Sequence, residues 1–280
     1  MVAKHTIAFV NDEPKLPLAE AIAFAQANGV TALEVRSIEG RNFLDHTAAE
    51  QKEAARQIKD AGLTVVGLAS PLLKWTAPGH PQAEKGDQFG FDIGERALGD
   101  IVALAADAAH TLGTRNVRIF SFLTHEGFTL ADLRPALDVL LRAAEREDLV
   151  YHVENEPVCN VRDERDLLAM METYRHPRLR ALLDIGNIYS TGARPEAERL
   201  AAVMPYVDHM HFKDVAMAPR RRIVALGEGE VPYPAYISAC FDAAAGRDLT
   251  LSVETHVHDG PAEATARSIA ALKRLAAATT

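Results

Sequence analysis

Residues 151–160 read YHVENEPVCN and follow two apolar residues. This pattern predicts a buried β-strand, in which alternate side chains point to the same side. His152, Glu154 and Glu156 therefore share one face of a strand that otherwise reads as buried. Because a buried carboxylate is costly unless it is paired or binds a metal, the stretch predicts a polar site where the strand ends.

Short apolar runs of this kind recur along the 280 residues of the chain. Eight short aliphatic or β-branched runs alternate with eight stretches of helical spacing rich in Ala, Leu, Glu and Arg. The runs are HTIAFV (5–10), ALEVR (32–36), LTVVGL (63–68), NVRIFSF (116–122), LVYHVE (149–154), RALLDI (180–185), VDHMHF (207–212) and LTLSVE (249–254). Such alternation indicates parallel βαβ units, and eight units in about 250 residues favour a (β/α)8 TIM barrel. An open doubly wound sheet is disfavoured, since no Gly-rich phosphate turn follows the first strand. We expect one domain spanning residues 1–280, because the sequence contains no linker, repeat or low-complexity segment.

The composition is that of a globular protein, with 48% hydrophobic and 25% charged residues and a formal net charge of -9. The acidity argues against a nucleic-acid partner, because phosphate backbones bind Lys and Arg, and the basic cluster PRRR (219–222) reads as a solvated loop. No apolar run reaches the length of a signal peptide or a membrane span. Cys159 and Cys240 read as free thiols of a reducing compartment. We therefore expect a cytoplasmic protein without a membrane partner.

Four successive strands each place a potential ligand at the carboxyl end, where such barrels carry their active sites. These residues are Glu154, Asp184, His211 and Glu254. Three carboxylates and one imidazole suit a divalent ion of intermediate hardness, Mn²⁺ best, with Mg²⁺, Co²⁺ or Zn²⁺ as alternatives. Such an ion can stabilise an enediolate. Because Glu154 and Glu254 come from strands that are not adjacent, they can flank a substrate as base and acid.

At these residues the chain resembles the xylose-isomerase-like TIM barrel superfamily, and within it the sugar phosphate isomerase/epimerase group. The motifs that carry the resemblance are VENEP (153–157), LLDIGNIYSTG (182–192), HMHFKD (209–214), GEGEVPY (227–233) and SVETH (252–256). The resemblance implies a single-metal site on the same four residues, with Glu154 and Glu254 as the acid/base pair. The chain departs from many members at Asn187, where they carry a histidine. It also reads LASP (68–71) where the apurinic endonucleases of the superfamily carry a histidine, so DNA repair is not expected.

We therefore expect a metal-dependent isomerase or epimerase of a small keto sugar or sugar phosphate. A lyase on the same site, either a dehydratase or a keto-glycoside eliminase, is the alternative, because both reactions begin with the same proton transfer. A non-catalytic sugar-binding partner subunit is a third reading, and assembly into a homo-oligomer stays open.

Several polar residues near the strand ends are candidates for substrate contacts. Glu156 binds a substrate hydroxyl or pairs with a loop cation. Asn187 donates to a sugar oxygen or caps a helix, and Lys213 neutralises an enediolate or pairs with Asp214. His256 shares the face of Glu254 and is a further candidate.

The connection after the third strand, residues 70–91, is long enough to be a lid or a binding loop. It carries Trp75, the single tryptophan of the sequence. We expect its ring either to wall the sugar pocket or to pack on a neighbouring loop or a second subunit.

Four further charged or polar residues lie within the predicted strands. His152 and His209 are one layer deeper than the ligands and are expected to be hydrogen-bonded core residues, with support of the metal carboxylates as the other reading. Glu34 and Arg118 are expected to pair inside the barrel, because a lone buried charge is costly.

Overall fold

The structure is a computed structural model that describes residues 5–81 and 86–278. The strands of its barrel are β1 (Thr6–Val10), β2 (Ala32–Val35), β3 (Thr64–Leu68), β4 (Asn116–Ile119), β5 (Val150–Glu154), β6 (Leu179–Asp184), β7 (Val207–Phe212) and β8 (Thr250–Val253). Every strand runs parallel to its two neighbours, and β1 pairs with both β2 and β8 to close the barrel. The predicted (β/α)8 barrel is confirmed. That the chain is one domain stays a prediction.

The described part of the chain contains nine α-helices. They are α1 (Leu18–Ala27), α2 (Ala48–Asp60), α3 (Leu98–Leu112), α4 (Arg134–Arg146), α5 (Glu164–Tyr174), α6 (Ile185–Ser190), α7 (Ala197–Val203), α8 (Tyr233–Ala243) and α9 (Pro261–Ala278). The short helix α6 was not predicted, because it starts directly after β6 without an apolar period of its own. None of the described helices has the length and apolar character needed to cross a membrane.

The helix ends follow the local sequence. Thr47 and Glu50 form a capping box before α2, which satisfies amide groups that the first turn leaves unpaired. Gly113 ends α3 with a φ of 72°, a left-handed conformation that glycine adopts without steric cost. Thr47 thus marks the start of α2 and Gly113 the end of α3.

The alternation of side chains along the strands separates two environments. Outward-facing residues such as Leu33, Val153 and Met210 are fully buried against the helices and form the apolar core. The inward-facing side chains include an unusually polar set, namely Glu34, Arg118, His152, Glu154, His209, His211, Ser252 and Glu254. The barrel axis is therefore lined by charged and polar groups that must satisfy one another.

Two small hairpins extend the barrel beyond its strands. One joins Ser37–Ile38 to Arg41–Asn42 after β2, and the other joins Asp214–Ala216 to Arg222–Val224 after β7. The basic cluster 219–222 belongs to this second hairpin, and its arginines are exposed, as predicted.

Asp214 anchors the connection between β7 and α8. Its carboxylate accepts hydrogen bonds from the backbone N–H groups of Gly227 at 2.9 Å and Gly229 at 3.1 Å. A Cβ atom at Gly229 would lie 2.2 Å from Asp214 Oδ1, so only glycine fits there. The GEGEVPY motif thus fixes this connection, and Asp214 is unavailable as the partner of Lys213.

The long connection between β3 and α3 has no helix or strand in its described residues, 69–81 and 86–97. Residues 82–85 of the predicted lid lie outside the described chain. The backbone N–H of Phe120 donates to Leu72 O at 2.8 Å, and that of Leu123 donates to Trp75 O at 2.9 Å. These bonds tie the first half of the connection to the segment that follows β4.

Candidate metal centre

The four expected ligands meet inside the carboxyl end of the barrel. Glu154, Asp184, His211 and Glu254 are at most 1% exposed, and one ligand atom from each lies within 4.8 Å of the others. His211 Nδ1 is 3.4 Å from Glu154 Oε1 and 3.3 Å from Glu254 Oε2. Atoms that bind one ion side by side at about 2.1 Å lie about 3 Å apart. The cluster therefore has almost the spacing that an ion requires.

His211 is oriented for metal binding by Glu34. The Nε2 atom of His211 lies 2.8 Å from Glu34 Oε2, so the other ring nitrogen, Nδ1, faces the cluster. A carboxylate on the far nitrogen is the usual arrangement behind a metal-binding histidine. Burial alone would raise the pKa of Glu34, but the charges of His211 and His209 outweigh it together and hold that pKa well below its usual range. Glu34 is thus an ionised support for the imidazole.

The two carboxylate oxygens of Asp184 differ in their hydrogen bonding. Its Oδ1 accepts the backbone N–H of Asn187 at 2.8 Å and so caps α6. Its Oδ2 is buried, with Lys213 Nζ 3.0 Å away but off the hydrogen-bond direction, and has no hydrogen-bond partner among the described residues. Burial raises the pKa of Asp184 to about 6. An orphaned carboxylate oxygen that faces three other donors fits a metal ligand.

The outer oxygens of the two glutamates are held by arginines. Arg118 Nη1 donates to Glu154 Oε2 and to Glu254 Oε1, at 3.0 Å in each case. Arg36 Nη1 donates to the same Glu254 oxygen at 2.9 Å. Each glutamate keeps its second oxygen directed at His211. The two arginines therefore position the outer oxygens, whereas the inner oxygens of Glu254 and Glu154 accept hydrogen bonds from Lys213 Nζ at 2.9 Å and Asn187 Nδ2 at 3.3 Å.

Two expected pairings differ from those observed. Glu34 and Arg118 do not pair with each other, because Glu34 binds the histidines while Arg118 bridges the two glutamates. Lys213 does not pair with Asp214. Its ammonium lies 3.0 Å from Asp184 and 2.9 Å from Glu254. For Lys213, residues of other strands come closer than its neighbour in sequence, Asp214.

Three of the expected substrate residues lie at the cluster. Asn187 Nδ2 donates to Glu154 Oε1 at 3.3 Å, and its backbone N–H is in the cap of α6. Lys213 contacts two ligands as described above. His256 Nε2 is 3.3 Å from Glu254 Oε2. Because each touches a candidate ligand, each can also reach a molecule bound there.

Glu156 and Trp75 lie further away. Glu156 Oε2 accepts a hydrogen bond from Lys74 Nζ at 2.8 Å, which is the loop cation that the sequence left open. Trp75 is half-buried and lines a separate cavity of about 670 Å³ with His80 and Phe91. Among the described contacts, none joins Trp75 to the four ligands. A role for Trp75 in sugar binding stays a prediction. The position of Trp75 in a separate cavity does not favour that role.

Phe89, which belongs to the same connection as Trp75, contacts three buried cations. Its ring centroid is 4.7 Å from Arg36 Cζ, 4.5 Å from Lys74 Nζ and 5.0 Å from Arg118 Cζ. The residue has a φ of 55°, which is uncommon for a bulky side chain and points to a conformation held by its surroundings. Phe89 is therefore the aromatic residue that stands beside the charged centre.

Sequence reasoning also missed Glu13 and Arg36. Arg36 Nη2 donates to Glu13 Oε1 at 2.7 Å, and Glu13 Oε2 accepts from Thr255 Oγ1 at 2.8 Å. A signal was present for Arg36, which lies two residues after Glu34 and thus on the same side of the chain. Glu13 follows β1 in the run NDEP and could have been found by its position at a strand end.

The deeper histidines differ in their contacts. His209 Nε2 is 2.7 Å from Ser252 Oγ and 3.3 Å from Glu34 Oε2, so it supports the carboxylate that holds His211. His152 Nδ1 has no hydrogen-bond partner among the described residues, and burial lowers the pKa of His152 to about 3. His209 therefore belongs to the support of the metal ligands, whereas His152 is a neutral core imidazole.

The sequence model of the xylose isomerase-like TIM barrel matches residues 22–275. The chain belongs to this family. No curated protein matches the sequence. Among solved structures, a probable 3-DHS dehydratase, AsbF, from Bacillus anthracis has a TM-score of 0.70 at 18% identity, with 96% of this chain and 98% of that chain covered.

Two further solved structures resemble the chain. The 3-keto-D-glucoside 4-epimerase YcjR from E. coli has a TM-score of 0.70 at 16% identity, covering 97% of this chain and 100% of that one. An IOLI protein with a bound zinc atom has a TM-score of 0.73 at 16% identity, covering 98% and 99%. At these identities the similarity shows that the chain shares the fold of these proteins. It does not show that the chain shares their reactions.

Replacing Glu34 by glutamine should weaken metal binding by about 10- to 100-fold, the usual effect of losing a carboxylate behind a metal-binding histidine. The amide keeps the shape but removes the charge that orients His211. Titration with Mn²⁺ measures the dissociation constant. Glu53→Gln, on the exposed face of α2, is the matched control. Equal affinities of wild type and Glu34→Gln would remove Glu34 from the support of the site.

Proposed function

We propose that the protein is a divalent-metal-dependent isomerase or epimerase of a small keto sugar, acting through an enediolate. The observation that carries the proposal is the position of Glu154 and Glu254, which approach His211 Nδ1 from two non-adjacent strands at 3.4 and 3.3 Å. Membership in the family supports it, as does the epimerase among the similar structures. For the metal we propose Mn²⁺, because the donor set combines three carboxylates with one imidazole; the zinc-bound neighbour keeps Zn²⁺ as an alternative.

Glu154 and Glu254 are proposed to move the proton. Burial raises the pKa of both, but cations outweigh it and lower the pKa of Glu154 and, further, of Glu254. Both carboxylates are therefore ionised before substrate binds and can accept a proton. A bound ion would supply the positive charge that stabilises the enediolate oxygens.

An epimerase must also return a proton to the substrate. Lys213 Nζ and His256 Nε2 lie 2.9 and 3.3 Å from Glu254 Oε2. Both groups stabilise the ionised form of Glu254, so the proton that Glu254 returns as the acid of the pair is proposed to come from solvent. Arg118, which bridges the outer oxygens of Glu154 and Glu254, holds both at a fixed separation.

A screen of keto sugars for exchange of an α-proton with deuterated solvent tests the proposal. We expect Mn²⁺-dependent incorporation of deuterium, observed by NMR, with at least one sugar and an isomer of unchanged carbon skeleton as product. If no keto sugar exchanges its α-proton in the presence of any of the four metals, the proposed function is wrong.

A lyase is the second candidate, because one of the similar structures is a probable dehydratase. Elimination starts from the same enediolate and then expels a leaving group. The product mass separates the two reactions, since an isomer retains the mass of the substrate and elimination of water lowers it. The cytoplasmic location and a homo-oligomeric state stay predictions from the sequence.

Phe89→Ala should raise the Michaelis constant more than it lowers turnover, because an aromatic wall contributes binding that is equal in ground state and transition state. Trp75→Ala is the paired variant and should change the Michaelis constant less. Steady-state kinetics of both variants decide between the two aromatic residues. A larger effect of Trp75→Ala would return the stacking role to the tryptophan.

A further inference from the structure

A cavity of about 290 Å³ opens directly beside the metal centre. Its lining comes from the segments after β1, β2 and β8 and from the long connection, and includes Glu13, Arg36, Phe89 and His256. His256 also touches Glu254, so the cavity and the four-ligand cluster share a wall. A molecule held at the cluster would extend into this cavity.

The buried cation of the cavity is already neutralised by the chain. Arg36 lies 2.9 Å from Asp12, 2.7 Å from Glu13 and 2.9 Å from Glu254. His256 in turn stands between Glu13 and Glu254, at 3.3 Å from each. Arg36 and His256, which face the cavity, are therefore matched by carboxylates before any substrate enters.

The same pairing of cations with carboxylates extends around the four candidate metal ligands. The remaining buried cations are paired as well, Lys74 with Glu156 and Arg118 and Lys213 with the candidate ligands. In the described part of the chain, the Lys and Arg cations of these pairs are Arg36, Lys74, Arg118 and Lys213. With Glu34, which holds His211, the carboxylates around the centre are Asp12, Glu13, Glu34, Glu154, Glu156, Asp184 and Glu254. The carboxylates exceed these Lys and Arg cations by three charges, and one divalent ion together with a protonated His256 brings the balance to zero rather than to a net positive charge.

A phosphate group would be poorly accommodated by this arrangement. Phosphate sites in proteins offer unpaired Arg or Lys side chains or the N-terminus of a helix, and a buried anion without matching positive charge is costly. At the outer edge of the cavity the exposed Lys15 is accompanied by Asp12 and Asp87. Phe89 adds an apolar surface of the kind that suits the C–H face of a sugar.

We propose that the substrate is an uncharged sugar, without a phosphate or carboxylate group, that lies in this cavity against Phe89 with hydroxyls on Glu13, Arg36 and His256. The inference rests on the proposed function and narrows its substrate class. The buried cations of the chain are already paired with carboxylates. Sugar hydroxyls need both donors and acceptors, and this arrangement offers both. A phosphate dianion needs unpaired positive charge, which the buried cations do not offer.

The first experiment compares matched pairs of keto sugars and their phosphate esters, such as D-fructose with D-fructose 6-phosphate, in the solvent-exchange assay with Mn²⁺. We expect kcat/KM to be at least about tenfold higher for the free sugar, the effect of one charge-assisted contact. Higher kcat/KM for the esters would overturn the inference while supporting the proposed function. Exchange with neither member of any pair contradicts the proposed function, and the charge inference is then decided by the second experiment.

The second experiment needs no turnover. Inorganic phosphate is titrated into the chelated protein, so that it cannot bind through a metal, and binding is followed by calorimetry. Wild type should show no saturable binding, whereas Asp12→Asn, which removes one carboxylate from Arg36, should bind phosphate at least about tenfold more tightly.

Asp60→Asn is the control, because Asp60 pairs with Arg56 on the surface of α2 and its loss changes the net charge equally. Saturable phosphate binding to wild type, or equal behaviour of the two variants, would overturn the inference.

Discussion

Glu154→Gln and Glu254→Gln should each reduce turnover by about a hundredfold or more at saturating Mn²⁺, the usual contribution of a general base or acid. Glutamine keeps the shape of the side chain and its hydrogen bond to Arg118 becomes weaker, but it cannot accept the α-proton. Because the two carboxylates are proposed to act on opposite faces of the substrate, one variant should still exchange the α-proton with solvent while forming little product.

Glu164→Gln is the control for the loss of a buried glutamate, since Glu164 is 3% exposed in α5 and outside the cluster. Its turnover should match wild type. Near wild-type turnover of both Glu154→Gln and Glu254→Gln, with the metal content confirmed, would contradict the acid/base assignment.

Removal of the ion should abolish activity and lower the thermal stability of the protein. An ion that binds only the folded state stabilises it by about 2.7 kcal/mol at a free concentration of 100 times its dissociation constant. For a chain of this size that corresponds to a decrease of about 5–10 °C in Tm on chelation. Differential scanning calorimetry with and without chelator measures the decrease.

The control is His211→Ala, whose Tm should no longer respond to chelator because its site is already incomplete. A wild-type Tm that is independent of both chelator and Mn²⁺ would show that no ion contributes to folding at this cluster.

The eight strands and the ligand set could be predicted because both depend on local pattern and one topological rule. Alternating apolar runs and helical stretches define the barrel, and in a barrel every strand ends at the same mouth. Glu154, Asp184, His211 and Glu254 each lie within one residue of the end of a strand, so the topology alone brings them together. The structure confirms the barrel and shows these residues in contact; their binding of an ion stays a prediction.

The partners of the charged residues could not be predicted in the same way. Lys213 forms ion pairs with Asp184 and Glu254 rather than with the adjacent Asp214, because Asp214 accepts hydrogen bonds from backbone amides of its own connection. Arg118 contacts Glu154 on the neighbouring strand and reaches across the barrel interior to Glu254, a contact that no sequence spacing encodes. Pairing across a barrel depends on side-chain reach in three dimensions, which the pattern of one strand does not contain.

The position of Phe89 could not be predicted for a related reason. Trp75 and Phe89 lie in the same long connection, which has no periodicity to indicate which side chain turns inward. The path of the connection is set by backbone bonds to the segment after β4, formed only in the folded barrel. Composition therefore favoured the tryptophan, whereas the fold places Phe89 beside Arg36 and Arg118.

Titration of the purified, chelated protein with Mn²⁺, followed by the electron paramagnetic resonance signal of the free ion, tests the central claim most directly. Binding couples to the release of protons from the ligands, so the titration is run in buffered solution near neutral pH. We expect wild type to bind about one ion per chain in a saturable manner, and His211→Ala to lose that binding. Full binding by His211→Ala, or no saturable binding by wild type with Mn²⁺, Mg²⁺, Co²⁺ or Zn²⁺, would contradict the assignment of Glu154, Asp184, His211 and Glu254 as a metal centre.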